Sequence, residues 1–174
     1  LHEGGIRVPG LARWPGKIPA GSTVSVPVIG SDLFPTVLAV AGAATPADRV
    51  IDGVNALPAL TGQATELARP QPLYWRLLMA PNKTVALRKG DWKILANDEL
   101  TEFELYNIAR DEKETTDLVA QEPEQFATLK ALLLKHHAAV EAEGPDWWKT
   151  LNKNGATSRE QDERNKAKKA KKAA

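Results

Sequence analysis

The sequence predicts a mixed α/β chain whose second half forms a four-stranded antiparallel sheet with one helix packed on it. Four short runs rich in aromatic and β-branched residues carry the sheet: Leu73–Leu78, Thr84–Arg88, Trp92–Leu95 and Phe103–Tyr106. The turn signals Pro81-Asn82, Lys89-Gly90-Asp91 and Asn97-Asp98 separate them. Over residues 123–142, Phe126, Leu129, Leu133 and Val140 recur at three- and four-residue multiples, and Pro123 suits a first helical turn. The composition, 43% apolar and 26% charged over 174 residues, is that of an ordinary globular chain.

The elements follow in order. Residues 1–30 alternate short apolar pieces with Gly and Pro, and Pro15-Gly16 marks a turn. Thr23–Ile29 reads as a short strand that Pro27 confines to an edge or an end. Asp32 is placed to accept hydrogen bonds at a helix start, with Pro35 in the first turn and Gly42 as the stop. Leu33, Val37, Leu38 and Ala41 fall at helical spacing and predict a buried face. Asp52-Gly53 reads as a turn, and Val54, Leu57, Leu60 and Gly62 as a short helical or irregular piece. Pro70 and Pro72 mark a boundary. Arg88–Lys93 has the form of a hairpin with Gly90 where positive φ is needed. The predicted organisation is residues 1–69, residues 70–150 with the sheet and helix, and a charged tail, 151–174.

Composition excludes some chemistry. There is no cysteine, so thiolate ligands, disulfides and cysteine nucleophiles are absent from this chain. No run approaches the roughly 20 apolar residues of a membrane helix. Net charge is +1, with seven of the 23 basic and three of the 22 acidic residues in 159–174. Lys166–Lys172 can release counterions on an anionic surface, but such alanine-lysine runs at a chain end are more often solvated, and a nucleic-acid partner is not expected.

Four separated segments carry a family resemblance. They are His2–Pro9 with Arg13-Trp14-Pro15-Gly16; Ser31–Leu38 leading to Ala41-Gly42; Asp52-Gly53 with Leu57 and Leu60-Thr61-Gly62; and Arg88–Lys93 with Glu104–Asn107, Asp111–Glu114 and Asp117-Leu118. In order and spacing they resemble the C-terminal part of sulfatases, members of the alkaline-phosphatase-like superfamily. The resemblance implies the end of an α/β catalytic domain followed by a small antiparallel subdomain, and an export to the periplasm or outside the cell. It also implies a parent that cleaves sulfate esters of small molecules or glycans, with a formylglycine made in a Cys/Ser-x-Pro-x-Arg motif and Ca2+ held by Asp and Asn. The motif is not in this chain, and Ser25-Val26-Pro27-Val28-Ile29 lacks its arginine. A chain that begins at Leu1, with its methionine at Met79, is expected to be the C-terminal part of a longer protein and inactive alone.

Five residues stand nearest to chemistry under that resemblance. His2, Glu3 and Arg7 follow the place of the family's active-site lysine; Glu3 and Arg7 can orient a site loop or form a structural ion pair. Trp75 and Arg76 can reach a substrate pocket, or place Trp75 in the sheet core and Arg76 on its other face. His136 and His137 are adjacent on a helix and point about 100° apart, which disfavours a shared metal. Trp14, Trp92, Trp147 and Trp148 read as packing anchors. Two other functions remain open: hydrolysis of phosphate or phosphonate esters on the same fold, and a non-catalytic interaction module.

Overall fold

The structure, a computed structural model, describes residues 1–77 and 84–144. Leu78, the Pro81-Asn82 turn, Trp147, Trp148 and the tail lie outside the described residues. The described chain divides into two compact units, one made of Leu1 with residues 75–77, 84–87 and 92–144, the other of His2–Tyr74 and Arg88–Asp91.

The sheet, most of whose residues fall in the first unit, has the order β1 (Leu73–Arg76), β2 (Val85–Lys89), β3 (Trp92–Ala96), β4 (Phe103–Asn107), each strand beside its neighbour in sequence. These are the four runs expected, and Gly90 takes φ 60° in the β2–β3 turn. β3 and β4 pair antiparallel with Lys93 opposite Tyr106, Ile94 opposite Leu105 and Leu95 opposite Glu104. Alternation then sorts the faces. Ala86, Leu95, Tyr106 and Ile108 form one apolar cluster, against which Trp75 and Leu1 pack. The opposite face carries Phe103, whose ring meets Phe126 edge-on at 5.8 Å, with Lys130 Nζ 4.5 Å above it. Phe126 belongs to α4 (Pro123–Glu143), which buries Leu129 and Leu133. The outer edge of β4 is occupied: Leu118 N–H donates to Leu105 O at 2.8 Å, and Leu105 N–H donates to Asp117 Oδ1 at 3.0 Å.

The second unit has little regular structure, and the buried carboxylate of Asp32 ties several of its loops. It holds α1 (Glu3–Ile6), a 3-10 turn at Gly30–Asp32, α2 (Leu33–Ala41) and α3 (Leu57–Leu60). Gly42 closes α2 at φ 68°, and Ala43 N–H returns to Leu38 O at 2.9 Å. Asp32 behaves differently from the cap expected of it: its carboxylate turns away from α2 and accepts from Ile29 N–H and Val54 N–H, both at 2.9 Å. Thr36 Oγ1 donates to Asp32 O at 2.6 Å and accepts Ala56 N–H at 2.8 Å. The side of α2 that is buried is therefore Pro35 and Thr36, while Leu33, Val37 and Ala41 are exposed, the reverse of the expected face. Hydrogen bonding to Asp32 and Ala56 sets the rotation of the helix, and nothing in the described chain covers the aliphatic side. Thr23–Ile29 forms no strand, since no ladder pairs with it and Pro27 O is taken by Arg69 instead.

Gly53 is where the two halves of this knot touch. A Cβ built there would overlap the Ser31 carbonyl and lie 2.8 Å from Asp32 N. Gly53→Ala should lower stability by about 1–3 kcal/mol, the usual cost of overpacking. A wild-type urea midpoint for this variant would contradict the close approach.

Candidate functional site

His2, Glu3 and Arg7 share one turn. His2 O accepts N–H groups from Gly5 at 2.9 Å and Ile6 at 3.3 Å, and Glu3 O accepts Arg7 N–H at 2.8 Å. His2 and Arg7 are exposed, whereas Glu3 is buried. The Glu3 carboxylate lies 3.5 Å from Arg88 Nη1, and Arg88 Nε donates to Gly90 O at 3.0 Å. The turn after β2 is thereby grouped with α1 in the second unit. Sequence places Arg88 in a hairpin and in the fourth resemblance segment but not beside Glu3, because a partner 85 positions away leaves no local signal.

Asp32 and Arg69 are the most tightly built charged pair of this unit. Arg69 donates from Nη1 to Asp32 Oδ1 at 2.8 Å and from Nη2 to Oδ2 at 2.6 Å, the two-pronged geometry that suits a guanidinium. A further bond runs from Arg69 Nη2 to Pro27 O at 2.8 Å. Burial pushes the Asp32 carboxyl upward, but bonds from Arg69, Ile29 and Val54, with the guanidinium charge, outweigh it and hold it below the usual carboxylate range. No proton-transfer role fits a carboxylate so fully engaged.

Trp75 and Arg76 belong to the sheet unit and face opposite ways. Trp75 packs on the apolar cluster, while Arg76 is paired with Glu141 of α4 and lies 3.7 Å from Asp98. His137, one turn before Glu141, is held below the ordinary imidazole value by burial and then by the Arg76 charge, against the opposing pull of Glu141 and Asp98. His136 and His137 are both half-buried on α4. The sheet unit also contains a buried ion pair that sequence reading passed over: Lys93 Nζ lies 2.8 Å from Glu114 Oε1, with both side chains almost wholly inside. Asp111 builds the loop that presents Glu114, accepting Thr115 N–H at 2.7 Å and Thr116 N–H at 2.9 Å while Glu114 takes φ 55°. Beside it Tyr106 OH donates to Glu104 at 3.2 Å, and burial followed by the Glu104 charge raises the phenol well above its ordinary value.

Among the described residues no group of three or more His, Cys, Asp or Glu side chains is placed to hold a metal ion. No helix among them is long and apolar enough to cross a membrane. The charged groups brought together here pin loops and strands to one another.

Solved structures place this arrangement in a class. The chain is similar to Ps i-CgsB, at 27% identity and a TM-score of 0.56 over 72% of this chain and 27% of that one. It has the same fold as part of BT4656, solved with its substrate D-glucosamine-2-N,6-O-disulfate, at 24% identity and a TM-score of 0.59 over 77% of this chain and 28% of that one. The fold is that of the C-terminal region of a sulfatase. The family described as N-sulphoglucosamine sulphohydrolase, C-terminal, matches residues 1–142, and the chain belongs to it. Among curated relatives, rat (Rattus norvegicus) steryl-sulfatase is 58% identical over 60 residues, which are 34% of this chain and 10% of that protein. Mouse (Mus musculus) arylsulfatase G is 34% identical over 127 residues, 73% of this chain and 22% of that protein. The chain thus spans about a tenth to a fifth of the length of these relatives.

Proposed function

We propose that this chain is the C-terminal part of an enzyme that hydrolyses sulfate esters, and that it supplies a supporting wall while other polypeptide supplies the reacting groups. The match of residues 1–142 to a sulphohydrolase C-terminal family carries the reading. Cleaving a sulfate ester requires a nucleophile at sulfur, cations for the charge on the sulfate oxygens and an acid for the leaving group. The described residues present none of these as a set. The calcium implied by the family finds no fit here either, because no cluster of ligands exists among the described residues, so no step is assigned to it. The contribution we assign to this chain is geometric: Glu3 and Arg88 hold the turn that carries His2 and Arg7, and Asp32 and Arg69 hold the loops at Pro27–Ile29 and Val54.

The substrate class we propose is a sulfated small molecule or glycan, and the place of action the periplasm or the cell exterior. Cell fractionation of the source organism, with all protein retained in the cytosol, would reject that location. For the activity, peptide mass spectrometry on the full-length protein should find a formylglycine in a Cys/Ser-x-Pro-x-Arg segment. An unmodified side chain at that position, or no such segment, rejects the reading.

A further inference from the structure

The second unit presents an apolar face in the wrong direction for a self-sufficient domain. On α2, Leu33 is 64% exposed, Phe34 49%, Val37 62% and Val40 46%, while Thr36, the polar residue of the same helix, is buried. Leu33, Val37 and Val40 follow the i, i+4, i+7 spacing and so form one stripe. Among the described residues, nine of the eleven large apolar side chains left exposed belong to residues 2–74. The chain around α2 is also poor in charge: residues 18–47 contain one ionisable side chain, Asp32, and it is wholly buried against Arg69.

We infer that the Leu33–Phe34–Val37–Val40 face of α2 is a permanent docking surface for the remainder of the sulfatase catalytic domain. The inference rests on the function proposed above and adds the surface by which the two parts join. Three observations select this occupant. An exposed apolar helix face in a stretch of chain with no exposed ionisable side chain has the composition of an obligate interface, a core cut in two. A membrane-surface helix would carry lysine or arginine beside its apolar stripe, and α2 has neither. The relatives have most of their length outside the matched region, so a partner of the required size exists within the same kind of polypeptide.

The test uses L33E/V37E in two settings, with Leu134→Glu, an exposed position on α4, as the control. In the 174-residue chain, wild type should bind an apolar dye and scatter light, and L33E/V37E should reduce both at least about threefold with unchanged far-ultraviolet circular dichroism. In the full-length protein the same pair should lower Tm by more than about 5 °C, and the control by less than about 1 °C. A dye-silent monomer in the first setting, or an unchanged Tm in the second, overturns the inference. A discrete wild-type dimer that L33E/V37E dissolves also overturns it, since the occupant is then a second copy. Absence of sulfatase activity in a full-length protein destabilised as expected would reject the function and leave the docking surface standing.

Discussion

Asp32→Ala should unfold the unit built from residues 2–74 and 88–91. The substitution strands Arg69 beside a vacated site and removes the acceptor for Ile29 N–H and Val54 N–H in one step. Taking one partner from a buried ion pair costs about 3–5 kcal/mol, a large share of the stability of any domain. Hydrogen exchange at the Val54 and Ala56 amides reads the loss directly, and retention of wild-type protection would refute it. The pH dependence has a definite sign. Because the folded Asp32 carboxyl lies below its ordinary value, the native state binds fewer protons than the unfolded chain. Its contribution is complete above the ordinary aspartate range, near pH 4, and is lost as pH falls through the depressed folded value. Asp32→Asn should flatten stability in that acid window.

Lys93→Met should be the second severe change, this time in the sheet unit. Glu114 would then stay buried at the end of a loop whose left-handed backbone and Asp111 bonds keep it facing inward. The expected loss is again about 3–5 kcal/mol. K93M/E114Q should recover much of it, because neither member of the pair then carries a charge. Urea unfolding followed by far-ultraviolet circular dichroism gives the double-mutant cycle. Additivity of the two single changes within about 0.5 kcal/mol would show that the pair is not coupled.

These two hubs were the least legible parts of the sequence, and the reason is distance. Asp32 meets a partner 37 residues on, and Glu3 one 85 residues on, so neither pairing leaves a periodic trace. Lys93 sits in a strand between Trp92 and Ile94, where alternation shows that it shares a face with Leu95 but not that Glu114 covers it. The strands and α4 were legible because their signals are local: turn residues at fixed offsets and an apolar repeat that one neighbouring element buries. Helix α2 shows where that logic fails. Its existence and its stop at Gly42 follow from local residues, but its buried side does not, because an aliphatic stripe faces whatever covers it and the described chain supplies no cover. The run Thr23–Ile29 alternates valines as a strand does, yet a strand also needs an edge to pair with.

The direct test of the whole account is the rate of the full-length protein on an aryl sulfate and on the matching aryl phosphate, side by side. The two esters share a leaving group and a tetrahedral centre, so the comparison isolates what the pocket recognises. The account predicts hydrolysis of the sulfate at least about tenfold faster than that of the phosphate. Preference for the phosphate, or no turnover of either, would contradict it.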